Sequence, residues 1–414
     1  MTRQPGQFPS APLHPLLALV NAKLPRTVVV LGLVSFFNDV ASEIVVPLIP
    51  ILLASVLGAG PVILGLVEGV ADALAAFLKL WSGRRSDALG GRRKGLTLAG
   101  YSLSNLARPL LGLAGSWAAV LLLRSIDRVG KGLRNAPRDA LVTDATPPAL
   151  RGYAYGFMRA LDNGGAVGGS LIAAAVLAWS AVTLPQMILL SAIPGLVAVL
   201  CLAIGVKEPA PAVAKPELAP LSWTLLGQPM RRYLIVVGLF TVARASETFI
   251  LLLGHERGAS IVELLLLWAI LNLSKALTST LGGRLADRFG RGALILTGWG
   301  AFAVSFALFA LLAGELGLWL VTVLYGLFTG LGEGAERALI SDFSNASERG
   351  TAFGWYNLML GVAAIPAGLL FGGVWHYFGS AAAFAMGAVL AAVAVVLLRG
   401  WAWPKSATQN LTHA

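Results

Sequence analysis

Ionisable side chains stand inside apolar stretches of this sequence, at helical spacing. Asp39 and Glu43 are four residues apart, and Glu68 and Asp72 repeat that spacing, so each pair shares one helix face. Arg124, Asp127, Arg128, Lys131, Arg134 and Arg138 follow within one segment. At about 100° per residue, these side chains fall within an arc of roughly 120°. Arg159 and Asp162 add a pair three apart. The later chain is poorer, with Arg244, Glu247, Lys275, Glu333, Glu336 and Arg337. Burial disfavours an ionised carboxylate, whereas a nearby arginine favours it. A carboxylate held between those influences exchanges a proton as its exposure changes. Asp39 or Glu43 is therefore the candidate proton-coupling acid, opposed by Arg124. A static network of ion pairs that fixes helix packing is the other reading of the same residues.

The elements that must carry these charges are membrane helices. Of 414 residues, 57% are hydrophobic and 12% charged, where a soluble domain carries about a quarter charged. Crossing hydrocarbon takes about 20 apolar residues per helix. Such runs lie near 27–56, 61–82, 95–115, 117–143, 152–179 and 183–206, then near 233–254, 260–282, 293–313, 317–340, 351–375 and 380–402. Between the two sets, residues 207–232 hold Pro209, Pro211, Pro216, Pro220 and Pro229 with several cations. That composition describes an extended linker, with a short surface helix near Leu221–Leu226. An ionisable stripe within a span must face other helices or a wet crevice, since lipid penalises it. Arg84, Arg85, Arg92, Arg93, Lys94, Arg151, Arg284, Arg288, Arg291 and Arg349 gather on one side, and Arg257 stands almost alone on the other. Both termini are accordingly cytoplasmic. The expected organisation is a cytoplasmic segment 1–26, a six-helix bundle 27–206, the linker 207–232, a second bundle 233–403 and a cytoplasmic tail 404–414.

Several function classes are disfavoured. The net charge is +11, yet the cations sit at span ends and not on a folded soluble face, so nucleic acid is not an expected partner. Cys201 is the sole cysteine and reads as a small packed residue. The proline-bearing first 25 residues show no removable signal. His14, His255, His376 and His413 lie in termini or at outer edges, so no metal site is assigned, although a hard-cation carboxylate site stays open. Membrane catalysis would need a clustered nucleophile and base; no histidine stands beside a candidate serine within a span. A receptor is a further alternative.

The chain repeats itself. Gly83-Arg84-Arg85-Ser86-Asp87 returns as Gly283-Arg284-Leu285-Ala286-Asp287, Ser42-Glu43 as Ser246-Glu247, and Asp144 with Arg151 as Asp342 with Arg349. Duplicated halves with a site between them are the architecture of many secondary transporters. Residues 283–291 match the loop signature G-x-x-x-D-R-x-G-R of the major facilitator superfamily, including Arg288, Gly290 and Arg291. The first copy departs from it at Ala88, and its Gly91-Arg92 is displaced by one. Arg124, Asp144 and Arg151 resemble the signature of the family's fourth helix, with Arg128 where glycine is usual. Gly165-Ala166-Val167-Gly168-Gly169-Ser170 is similar to the glycine-rich antiporter motif without its proline.

The resemblance implies an all-α membrane protein of twelve transmembrane helices in two pseudo-symmetric six-helix bundles. It implies that the Gly83/Asp87 and Gly283/Asp287 loops latch the outward-facing state; topogenic charge alone is the alternative. Arg138 and Glu336 occupy equivalent repeat positions with opposite signs and, with Glu333, form a candidate inner gate between halves; exposed helix-end charges are the other reading. Candidate residues of the solute path are Asn38, Glu68, Asp72, Tyr101, Arg108, Asp127, Arg128, Lys131, Arg159, Asp162, Arg244, Glu247 and Tyr325. Phe36, Phe37, Trp268, Trp299 and Tyr356 either line it or simply pack. The expected activity is proton-coupled transport of a small solute across a bacterial inner membrane by alternating access, foremost efflux of a small organic compound. Transport of an anionic metabolite, a metal ion or a metal chelate is the alternative. No cofactor is expected beyond the proton gradient, and the expected partners are a small-molecule substrate and the lipid bilayer around a monomer.

Overall fold

A computed structural model describes residues 24–88, 92–207, 221–312, 314–342 and 349–402. Most of the expected N-terminal segment, the centre of the linker and nearly all of the C-terminal tail lie outside them. The described residues are helical, with no strand among them. Helix α1 is Arg26–Val45, and tight and wide turns carry it on to Val56. Pro47 and Pro50 explain the irregular end, because each removes a backbone donor and crowds the preceding turn. Then come α2 (Pro61–Ala88), α3 (Lys94–Leu110), α4 (Trp117–Ala145) and α5 (Arg151–Trp179). Helix α6 comprises Leu184–Leu190 and Ala192–Gly205, interrupted at Ser191 ahead of Pro194.

The second half opens with α7, in two pieces, Gln228–Ala243 and Thr248–Glu256. This corrects the expectation of one unbroken seventh helix. The break falls on Arg244 to Glu247, where Arg244 leaves helical geometry at ψ 75°. Helices α8 (Ile261–Phe289), α9 (Arg291–Leu311) and α10 (Glu315–Asp342) follow. The last two, α11 (349–378) and α12 (380–402), meet at Gly379, whose φ of 87° only glycine adopts readily. Observed helices overrun the expected spans, α2 to Ala88 and α8 to Phe289. Their cationic ends keep helical hydrogen bonding beyond the apolar stretch. The short helix expected near Leu221–Leu226 is a single turn, Trp223–Leu225.

Among the described residues, nine segments are long and apolar enough to cross a membrane. One of these is the continuous stretch Thr351–Ala402, which folds back at Gly379. Helix α3 falls below that length, and α4 is too charged. The outer surface is apolar, with Leu106, Leu122, Trp179, Ile204 and Leu311 all well exposed.

Packing repeats between halves. Helix α2 packs on α4 as α8 does on α10, and α3 on α4 as α9 on α10. The two cores differ in chemistry. The second half is filled by rings, among them Phe302, Phe306, Phe309, Phe371 and Phe384. Much of the first half's interior is instead taken up by charged side chains. The halves meet where α2 crosses α11 and where α5 meets α8. At the first crossing, a Cβ added to Gly65 would lie 2.0 Å from the Gly368 carbonyl oxygen, and the reverse holds for Gly368. Two backbones touch there because neither residue has a side chain.

Candidate functional site

The charged stripe of α4 faces inward, and its arginines find acids on two neighbouring helices. Arg124 is fully buried and grips Glu68 of α2 with both arms, Nε to Oε1 and Nη2 to Oε2, each at 3.1 Å. Its Nη1 donates to Asp127 Oδ2 at 3.2 Å. From α3, Arg108 donates to the other oxygen of Asp127 through Nε at 3.0 Å and Nη2 at 2.9 Å. Arg108 Nη1 reaches Asn105 Oδ1 at 3.1 Å, while Asn105 Nδ2 donates to Asn38 Oδ1 at 3.2 Å. All of these groups are buried, so each ion pair must offset a large desolvation cost through its hydrogen bonds.

A second cluster, around Arg134 and Arg138, lies about two to three turns beyond Asp127 along α4. Arg138 donates to Asp139 and to Ser35 Oγ, and lies 3.6 Å from Asp162 Oδ1. The Arg134 guanidinium stacks over the Tyr101 ring at 4.4 Å. Asp39 accepts a hydrogen bond from Asn38 Nδ2 at 3.0 Å. Helix α1 approaches α5 closely here, because Gly165 and Gly169 meet the backbones of Phe36 and Val40. That contact is the packing role of the glycine-rich motif.

Between the halves is a cavity of about 760 Å³. Its first-half wall carries Glu43, Glu68, Asp72, Lys79, Arg128 and Lys131; the other wall carries Arg244, Glu247, Asn272, Lys275 and Glu336. Acids of the second half are held mainly by neutral donors. Trp299 Nε1 donates to Glu336 at 2.7 Å and Tyr356 OH donates at 3.1 Å. Glu247 accepts from Tyr325 OH at 3.1 Å and also pairs with Lys275. Two hydrogen bonds between described residues join the halves. Trp268 Nε1 donates to Glu43 Oε2 at 2.6 Å, and Ser55 Oγ meets His255 Nε2 at 2.7 Å where α1 and α7 end.

The structure rearranges several expected partnerships. Arg124 engages Glu68 and Asp127, not Asp39 or Glu43, because α2 and α3 flank that face of α4. Arg138 and Glu336 each bond within their own half, so the expected gate pair is not formed here. Asp144 pairs with Arg93 at 3.2 Å, while Arg151 is exposed. Arg159 is exposed as well, away from the cavity. Asn38, Tyr101, Arg108, Asp127 and Tyr325 are buried behind the cavity wall as supports. Gly83 packs toward Ala136 of α4, Gly290 has φ 86°, Arg92 and Arg288 are exposed, and Arg291 is half-buried. The side chains of Asp87, Asp287, Glu333, Asp342 and Arg349, and Gly283, lie outside the described residues. Asn105 and Asn272 escaped the sequence reading. Asn105 sits three residues before Arg108, a spacing that marks the shared face; Asn272 carries no such signal.

Comparison with known proteins accords with this architecture. The sequence profile of the Major Facilitator Superfamily matches residues 31–273 and again 233–412. An uncharacterised transporter of that type from Methanocaldococcus jannaschii is 30% identical over 384 residues, covering 91% of this chain and 95% of the relative. A multidrug resistance protein of Proteus mirabilis, MdtH, is 33% identical over 129 residues, 31% of this chain and 32% of that protein. In structure, a POT family transporter in complex with 5-aminolevulinic acid superposes with a TM-score of 0.76 at 14% identity, covering 91% of this chain and 96% of the other.

Proposed function

The chain belongs to the major facilitator superfamily, and from that premise we propose that it works as a proton-coupled secondary active transporter. It is a multi-pass membrane protein and a transporter, not an enzyme. In this reading the chain crosses the bacterial inner membrane twelve times, as a monomer with both termini in the cytoplasm. The proton gradient supplies the energy. A small organic solute is carried outward by rocking of the two halves, a direction favoured by the partial similarity to a multidrug resistance protein.

One observation carries the reading. A cavity of about 760 Å³ lies between the duplicated halves, and a carboxylate of one half, Glu43, is bonded across it to Trp268 of the other. An acid at that depth marks a solute path or a proton relay by default. Its bond to the second half ties its charge state to how closely the halves approach. The ionised carboxylate accepts the indole hydrogen bond strongly. A protonated one accepts it weakly, which frees the halves to part. Asp39, one helical turn earlier on α1, is the second coupling candidate.

The test is flux in proteoliposomes under an imposed pH gradient, with a panel of radiolabelled small organic solutes. Solute movement that follows the gradient is expected, with loss of coupling in Glu43→Gln or Asp39→Asn. Gradient-driven flux intact in both variants would remove the coupling assignment.

A further inference from the structure

Resting on the transporter reading, the donors and acceptors of the cavity narrow the class of solute. Each acid that faces the cavity already has a donor or a cation beside it. Glu68 is gripped by Arg124, Glu247 by Lys275 and Tyr325, Glu336 by Trp299 and Tyr356, and Glu43 by Trp268. Asp72 lies 4.0 Å from Arg128 Nε.

The cations are not matched in the same way. Lys131 of α4 and Arg244 at the break in α7 both line the cavity, and neither has a carboxylate within ion-pair distance among the described residues. Arg244 rests near the Phe240 ring, 5.9 Å away. Arg128 lies 3.7 Å from Glu68 through Nη2 but its buried Nε makes no hydrogen bond, and Asn272 Nδ2 on the same cavity wall makes none either. A buried donor left unpaired is costly, and most such groups in folded proteins are satisfied. Among the described residues, the buried polar atoms left unpartnered on this wall are therefore donors, and Lys131 and Arg244 add two cations without a paired carboxylate.

We propose that the cavity binds its solute through an anionic group, a carboxylate or a phosphate monoester, held between Lys131 and Arg128 of the first half and Arg244 of the second, with Asn272 donating beside it. The class follows from complementarity: an anion satisfies all four groups, whereas a cation meets acids that, Asp72 apart, are already hydrogen-bonded. Placement on both halves gives the group a second effect. Two like charges facing one cavity resist closure, and an anion between them removes that resistance. Binding then favours the approach of the halves around the solute. The break in α7 supports this, since it puts Arg244 on a segment freed from regular helix.

The proposal is tested with the full-length chain in detergent at fixed pH, by thermal stabilisation against matched aromatic probes. Benzoate, phenylacetate and phenyl phosphate represent the anions, benzylamine the cations and benzyl alcohol the neutral compounds. Stabilisation by at least one anion is expected, with none from benzylamine or benzyl alcohol. The larger shift between carboxylates and phosphate identifies the preferred group. Lys131→Gln and Arg244→Gln should each weaken the stabilising anion by about tenfold or more, the worth of a charged hydrogen bond. Lys131→Arg and Arg244→Lys retain the charge and should keep most of the affinity. They also serve if a neutral variant fails to fold.

No shift from any anion, a shift from benzylamine alone, or anion binding that survives both neutral variants would overturn the proposal. Proteoliposome flux separates the two readings. A chain that binds anions through these residues but moves no solute defeats the transporter reading and leaves the anion site standing. Flux restricted to cationic or neutral solutes does the reverse.

Discussion

The guanidinium of Arg124 shows how a single side chain organises the first half. It is fully buried and is matched by Glu68 and Asp127, and Asp127 is matched in turn by Arg108. Removing one member leaves an uncompensated charge in a poorly solvated site, which costs about 3–5 kcal/mol. Glu68→Gln should therefore lower stability by that order, read as a fall in melting temperature in detergent. The double variant Glu68→Gln/Arg124→Gln should cost clearly less than the sum of its parts, because both charges leave together. Additive losses would mean that the pair is not coupled. Arg124→Lys should also be damaging, since an ammonium lacks the two-armed geometry that Glu68 receives.

Glu43 and Trp268 make a prediction of a different kind. Trp268→Phe keeps the ring and removes the donor to Glu43. It should leave the fold intact and shift the halves toward the arrangement in which they separate at this contact. Glu43→Gln should do the same, and the two together should add little. A thiol at position 55, introduced as Ser55→Cys in a Cys201→Ser background, reports this through its labelling rate. An unchanged rate in both single variants would refute the latch.

At the scale of elements, the crossing of α2 and α11 depends on two glycines. A methyl group on Gly368 would sit 2.0 Å from the Gly65 carbonyl oxygen, so the helices must move apart to admit it. Gly368→Ala should lower both melting temperature and transport. Gly300, on α9, has nothing within 4 Å of an added Cβ. Gly300→Ala should be neutral or stabilising by about 0.5–1 kcal/mol, the usual gain for replacing a helical glycine. Equal effects at the two positions would mean that the crossing tolerates separation. Most elements were legible in the sequence, because about 20 apolar residues in a row have few alternatives in a bilayer. The break in α7 was not. No proline or glycine stands at Arg244 to Glu247, and apolar residues continue on both sides of it. Helix ends also escaped, since charged residues extend a helix beyond hydrocarbon without any change in pattern.

For the whole molecule, the decisive feature is that the halves touch where α1 and α7 end, through Ser55 and His255. In the proposed alternating-access reading, this contact opens in every cycle. With Ser55→Cys and His255→Cys in a Cys201→Ser background, a short bifunctional thiol reagent should hold the halves together there. Transport should fall to background and return when the reagent is cleaved. Transport that continues in the fully cross-linked protein would exclude rocking about this contact.

Taken alone, the sequence determined that the chain lies in a membrane, that it is duplicated, and that the charges of α4 share one inward face. Each of these follows from composition or periodicity along the chain, which local physics reads directly. Only the tertiary structure decided which charge meets which. Arg124 was expected to oppose Asp39 or Glu43 and instead holds Glu68. Helical spacing fixes the face on which a side chain lies and leaves open which neighbour covers it. The same limit applied to the cavity's unmatched donors, Lys131 and Arg244. A tally of the charges within the first-half spans nearly cancels, and only the packing of two distant segments against one cavity separates the charges already paired from those left for a solute.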